Sequence, residues 1–208
     1  MLSLFFESPD IFTDEFIIDE IADFFLAAAG TTARGSVTTA GHFASSPDSV
    51  AKARNEFDSV IEESEEFSPD DKQNLSKLEF LKKHVTLKNT QDMTYCGQVI
   101  QEALRHRPVV ANGSQQTLAK DTKIGKYNFK AGDTVKINIS GLHQHKGYWQ
   151  NPERFEPDRF DSTSPLSLMP NGKKRHTFAY LPFYGGRRVC FGKTFAEANL
   201  KILASYMT

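Results

Sequence analysis

The chain has 208 residues, 39% of them hydrophobic and 12% aromatic, which excludes a disordered polymer and is enough for one domain with a sizeable core. Its 25 Lys and Arg against 26 Asp and Glu leave a formal charge of -1, so no global field draws it to nucleic acid or an anionic membrane, and an electrostatic partner has to meet a local patch. Two cysteines, Cys96 and Cys190, are too few for a disulfide framework and lack the paired spacing of a structural zinc site, which suits a reducing compartment.

In chain order, residues 1–10, MLSLFFESPD, carry a short apolar run without a basic segment before it, a poor secretory signal. A membrane span needs about 20 predominantly apolar residues, and the best stretch, 17–29, is interrupted by Asp19, Glu20 and Asp23. Thr13 is an N-cap candidate, and Asp14 and Glu15 complement the positive end of a helix dipole, so a helix is predicted over 13–45. Ile17, Ile21, Phe24, Phe25 and Ala28 form its apolar face, the pattern weakens through Gly30, Gly35 and Gly41, and Pro47 stops it. A second helix is expected over 48–66, with Val50, Ala53, Phe57, Val60 and Ile61 on its buried side. Residues 68–73 read as a loop, and the charged stretch to Thr90 is ambiguous.

A third helix is predicted over 94–107, its apolar face made by Val99, Ile100, Ala103 and Leu104 and its end set by Pro108. Over 115–139 the period changes to two, predicting an antiparallel hairpin in which Tyr127 and Phe129 pair with Val135, Ile137 and Ile139 across a turn at 131–133. Residues 140–182 show no sustained periodicity, and the segment 183–208 holds a glycine-rich loop followed by a helix that begins after Gly192. The fold class is therefore mainly α with a small antiparallel sheet.

Chemistry concentrates in Phe183-Tyr184-Gly185-Gly186-Arg187-Arg188-Val189-Cys190-Phe191-Gly192. A helix N-terminus and two nearby guanidiniums favour thiolate over thiol, which makes Cys190 a candidate metal ligand or nucleophile. Gly192-Lys193-Thr194 imitates the end of a phosphate loop, yet five residues separate Gly186 from Gly192 where that motif needs four. Upstream, Glu102 and Arg105 stand at i, i+3 on one helix face, where both can point at a single site.

The loop closely resembles the cytochrome P450 cysteine loop, with Phe183, Gly186, Arg188, Cys190 and Gly192 in its five fixed positions. Glu102 and Arg105 resemble the family's Glu-x-x-Arg, and 157–160 its Pro-Glu-Arg-Phe-like segment, contributing Arg159. The resemblance implies haem b with Cys190 as axial thiolate to iron, Arg188 at a propionate, Gly30 among the haem-binding positions, and Glu102, Arg105 and Arg159 as a structural triad. It also implies a truncated cytochrome P450 fold, from the distal helix at 13–45 through the β region at 115–139 and the meander at 140–182 to the cysteine loop. The implied activity is that of a haem-thiolate monooxygenase, inserting one atom of O2 into a small apolar substrate with NADPH electrons delivered by a reductase. The endoplasmic-reticulum membrane is the expected location for an anchored eukaryotic parent.

Two departures from the family pattern stand out. Ala29-Gly30-Thr31-Thr32-Ala33-Arg34 lacks the acid and alcohol that help deliver protons to dioxygen, leaving Thr31 and Thr32 as distal catalytic candidates. The region after Pro108 offers Gln115 and Gln116 where an Arg for a propionate is usual. The alternatives are thus an inactive fragment or pseudoenzyme retaining haem affinity, and a haem-thiolate isomerase or dehydratase, which does not need the acid and alcohol. Short of the family's full domain, the chain is expected to expose apolar surface and to aggregate or seek a partner chain. His143 and His145 invite a metal reading without a third ligand. Lys173, Lys174 and Arg175 read as a solvated loop or as a docking patch for an acidic electron-transfer partner.

Overall fold

A computed structural model describes residues 12–207; residues 1–11, with the apolar run read as a poor secretory signal, and Thr208 lie outside the described residues. Helix α1 spans Asp14–Ser45, and the Thr13 side chain accepts the Phe16 N–H at 3.2 Å to satisfy one of its free N-terminal donors. It runs unbroken through its three glycines. Gly35 has a packing role, because a Cβ there would already lie 3.6 to 3.7 Å from Leu200 and Val109.

The buried side of α1 differs from the predicted face. Ile17 is buried, but Ile21, Phe24 and Phe25 are 43%, 39% and 76% exposed, and Gly35, Thr39 and Phe43 are buried instead. The reason is tertiary: the C-terminal half of α1 packs on later helices, whereas much of the N-terminal half's apolar surface has no layer over it among the described residues.

Ser46 separates α1 from α2, Pro47–Glu62, which buries Ala53, Phe57 and Ile61. The stretch read as loop and ambiguous charge is helical in three short pieces, α3 Pro69–Asn74, α4 Lys77–His84 and α5 Leu87–Asp92. Pro69 starts α3 at a position where its missing N–H costs nothing. Ser76 and Glu79 form a reciprocal capping box for α4. Helix α6, Thr94–His106, begins where the Glu56 carboxylate accepts the Tyr95 and Cys96 N–H groups at 2.6 and 2.8 Å. Its buried residues Val99, Ile100 and Leu104 join Phe43, Phe57, Ile61, Leu81, Met93 and Leu200 in one core. Each large aliphatic or aromatic side chain so buried contributes about 1.5–3 kcal/mol.

The β region departs from the single predicted hairpin. Strands β1 Gln116–Thr117, β2 Thr122–Ile124, β3 Tyr127–Phe129 and β4 Thr134–Val135 form two two-stranded antiparallel sheets, β2 with β3 and β1 with β4. Gly125, at φ 59, permits the tight turn that folds Tyr127–Phe129 back onto Thr122–Ile124. Ile139 is not in a strand; it opens α7, Ile139–His143, where the Asn138 side chain accepts the Gly141 N–H at 2.8 Å. The meander that follows is built of 3-10 turns at Pro157–Phe160, Pro165–Ser167 and Thr177–Ala179, and α8, Lys193–Met207, closes the described chain.

Candidate haem-thiolate site

The cysteine loop is drawn together by its own backbone. The Cys190 N–H donates to the Phe183 carbonyl at 2.8 Å across a 3-10 turn at Gly186–Arg188, and Gly186 takes the left-handed φ of 65 that this turn requires. Cys190 is exposed and stands three residues before the first residue of α8, so its sulfur lies near the positive end of that helix. Arg187 and Arg188 are exposed beside it.

Apolar surface surrounds the thiol: Val189, Phe191 and Phe195 are 51%, 70% and 67% exposed. The rings of Phe24 on α1 and Phe191 meet with centroids 5.6 Å apart, which brings α1 to the residue after the cysteine. A Cβ at Gly30 or Gly186 would meet nothing within 4 Å, and one at Gly192 would meet only the Cys190 sulfur at 4.0 Å. A soft sulfur donor, bare aromatic faces and glycines that leave room, with guanidiniums at the edge, fit a flat apolar iron porphyrin with anionic side arms.

Cys96 has the opposite character. It is buried in the core, and burial, helped by the Glu56 carboxylate, pushes its thiol up to about 12, so it stays protonated and inert at neutral pH.

Glu102, Arg105 and Arg159 come together with exposures of 0%, 0% and 1%. Glu102 Oε2 accepts from Arg105 Nε at 2.7 Å, and Oε1 accepts from Arg105 Nη2 at 2.9 Å, Arg159 Nε at 3.1 Å and the Glu156 N–H at 2.9 Å. The remaining guanidinium donors reach backbone: Arg105 to the His143 and Pro152 carbonyls at 2.8 Å, Arg159 to Gln150 and, at 2.7 Å, to Asn151. Burial lowers the pKa of Arg159 while the Glu102 carboxylate works against that shift. One carboxylate thus ties α6 to the meander at several points.

Among the described residues, no polar contact gathers Thr31 and Thr32 at this site. Thr31 Oγ1 donates to the Ala27 carbonyl of its own helix at 2.7 Å, and Thr31 is exposed. His143 and His145 diverge: His143 Nε2 accepts the buried Leu181 N–H at 2.8 Å, whereas His145 Nδ1 accepts the Gly147 N–H. Among the described residues no three His, Cys, Asp or Glu side chains converge.

Sequence reasoning missed several residues that build this frame. Trp149 is fully buried beneath Arg175, whose guanidinium lies 3.7 Å from the ring centroid and donates to the Tyr148 and Leu166 carbonyls. Arg175 is therefore a packed residue, a correction to the solvated loop read at 173–175; the burial pushes its pKa down to about 10. Its signal was the one tryptophan of the chain, whose ring face favours a cationic neighbour when buried. Tyr180, half-buried against Trp149 and Phe160, donates to the Gln101 carbonyl at 2.9 Å and was equally hidden in the aperiodic meander.

The family model described as Cytochrome P450 matches residues 2–207. Rat "Cytochrome P450 4A14" is 31% identical over 190 residues, 91% of this chain and 32% of that protein. A "Putative cytochrome P450 120" of Synechocystis is 35% identical over 136 residues, covering 64% of this chain and 28% of its own length. The pig protein named "Taurochenodeoxycholic 6 alpha-hydroxylase" is 27% identical over 96% of this chain and 34% of its length. The crystal structure of a cytochrome P450 (CYP102L1) superposes with a TM-score of 0.70 at 28% identity, over 92% of this chain and 38% of that one. The chain spans about a third of the length of the curated relatives it matches. No helix among the described residues is long and apolar enough to cross a membrane. With residues 2–207 matched by the family model and 92% of the chain superposed on a solved member, the chain belongs to the cytochrome P450 family and corresponds to part of that family's domain.

Proposed function

We propose that this chain supplies the haem-thiolate portion of a monooxygenase that inserts one oxygen atom of O2 into a small apolar substrate. The observation that carries the reading is the exposed Cys190, set at a helix N-terminus among bare aromatic faces. Haem bound there would supply an iron for dioxygen activation, with two electrons and two protons taken up as one oxygen atom enters the substrate and the other leaves as water. Cys190 would hold the iron through its thiolate, Arg188 would neutralise a propionate, and Phe183, Gly186 and Gly192 would shape the loop that presents the thiolate. Gly30, where an added Cβ would meet nothing within 4 Å, would leave room for the group along α1. Glu102, Arg105 and Arg159 touch no reacting atom; they hold the scaffold that aims the loop. The electrons come from NADPH through a reductase, and an anchored eukaryotic parent would work at the endoplasmic-reticulum membrane.

A second reading is favoured by one observation. Thr31 spends its hydroxyl on the Ala27 carbonyl, and no carboxylate occupies position 32. A haem-thiolate isomerase or dehydratase, which rearranges an already oxygenated lipid, has no need of either group. NADPH and O2 consumption by the haem-loaded protein with a reductase, measured beside Cys190→Ser, separates the two. Coupled consumption lost in the variant supports the monooxygenase, and turnover of a lipid peroxide without NADPH supports the second reading.

A further inference from the structure

Tyr184 has a backbone that L side chains rarely adopt, with φ at 65; among the described residues only Asn151 shares a positive φ without being glycine. A tyrosine held there needs a compensating contact, and its ring has one. It lies on Gly113, where an added Cβ would meet the Tyr184 Cε2 and Oη atoms at 2.6 Å, closer than atoms can approach. The phenol donates to the Ser114 carbonyl at 3.4 Å.

Both ends of this contact are anchored. On one side Gly113 donates its N–H to the Ile137 carbonyl at 2.8 Å, and Asn112 bridges to Asn138, so the segment is fixed to the start of α7. On the other, Tyr184 adjoins Phe183, whose carbonyl accepts the Cys190 N–H, and its own N–H donates to Leu181. A displacement of Tyr184 therefore passes through one peptide to the group that pins Cys190.

We propose that Tyr184 is a positioning residue for the thiolate: its ring, latched over Gly113, fixes the cysteine loop against residues 113–114 and thereby sets where Cys190 stands. The side chain accounts for the strained backbone, and Gly113 accounts for the space. The inference rests on the reading of Cys190 as a haem ligand.

The test uses the full chain and two readouts. In the haem-reconstituted, dithionite-reduced protein under carbon monoxide, the share of red-shifted Soret absorbance reports thiolate ligation. In the haem-free protein, iodoacetamide alkylation reports Cys190 alone, since Cys96 is buried. Tyr184→Phe keeps the ring and is expected within about twofold of wild type in both. Tyr184→Gly accepts the left-handed backbone without strain, and Gly113→Ala evicts the ring. Each is expected to lower the red-shifted share and to speed alkylation by roughly threefold or more. The double variant should be no worse than Tyr184→Gly, because the ring that Ala would displace is already gone. Wild-type values for Tyr184→Gly in both readouts, or full additivity of the two single changes, would overturn the latch. If wild type itself shows no red-shifted band, the haem-ligand reading has failed, and the alkylation series alone decides whether Tyr184 positions Cys190.

Discussion

The Glu102 network and the Cys190 loop are built on opposite terms. Glu102 accepts four hydrogen bonds with no exposed surface, from two arginines whose other donors reach backbone carbonyls in the meander. The cysteine loop is exposed and held by a few backbone bonds, chiefly Cys190 N–H to the Phe183 carbonyl at 2.8 Å and Lys193 N–H to the Cys190 carbonyl at 3.4 Å. The first region is complete from this chain's own residues; the second presents a donor outward. Changes in the network should therefore fall on stability, and changes at the cysteine on ligand chemistry.

The largest expected effect would come from Glu102→Gln, which leaves two buried guanidiniums without their shared anion. A loss of about 3–5 kcal/mol is expected in urea unfolding, the range for breaking one partner of a buried ionic network. A loss within experimental error would erase the contrast, since it would make the triad as dispensable as a surface pair.

Acid provides the next test. Burial, followed by the Arg105 charge, lowers His143 from 6.5 to about 4, and its Nε2 must stay unprotonated to accept the Leu181 N–H. Between those two values the unfolded chain binds more protons than the folded one, so stability falls as pH drops from 6.5 towards 4 and is retained above 6.5. The His143 contribution amounts to about 3 kcal/mol at most. His42, stacked on Phe155 and lowered to about 4 by burial and the nearby His106 and Arg107, adds to the same limb. Melting temperatures across this range should decline less steeply in His143→Gln, and an unchanged slope would remove His143 from the account.

Arg175→Ala should cost about 1–3 kcal/mol, because two carbonyls lose a charged donor and the Trp149 ring loses its cationic cover. Thermal unfolding sharpens the comparison here: a cost near zero would place Arg175 with the exposed loop instead of the frame. Smallest of all, Cys190→Ser in the haem-free chain should change stability by no more than about 0.5 kcal/mol, as for other exposed positions. A larger loss would mean that the loop is part of the frame after all.

How much of this was legible depended on whether the cause was local. Thr13, Pro47 and Pro108 act within a turn of themselves, so the ends of α1 and α6 could be read from single residues. The motif spacing around Cys190 placed the loop because its geometry is set by consecutive glycines and the helix that follows. Phe24 and Phe25 misled because burial is decided by what packs above them, which periodicity does not record. The β pairing failed for a related reason: Gly125 and Gly132 both offer turns, and only long-range anchoring of 113–118 to 133–138 selects the pairing of each strand. Arg175, Trp149 and Tyr180 lie in a meander without period, where contacts across the fold do the organising. Tyr184 lies within the motif itself, but its partner Gly113 lies 71 positions away.

The measurement that bears most directly on the central claim is the carbon monoxide difference spectrum of the dithionite-reduced, haem-reconstituted chain, with Cys190→Ser beside it. Wild type is expected to show a red-shifted Soret band that is absent from the variant, the signature of haem held by the Cys190 thiolate. A wild-type spectrum without that band, or a band that survives in Cys190→Ser, would contradict it.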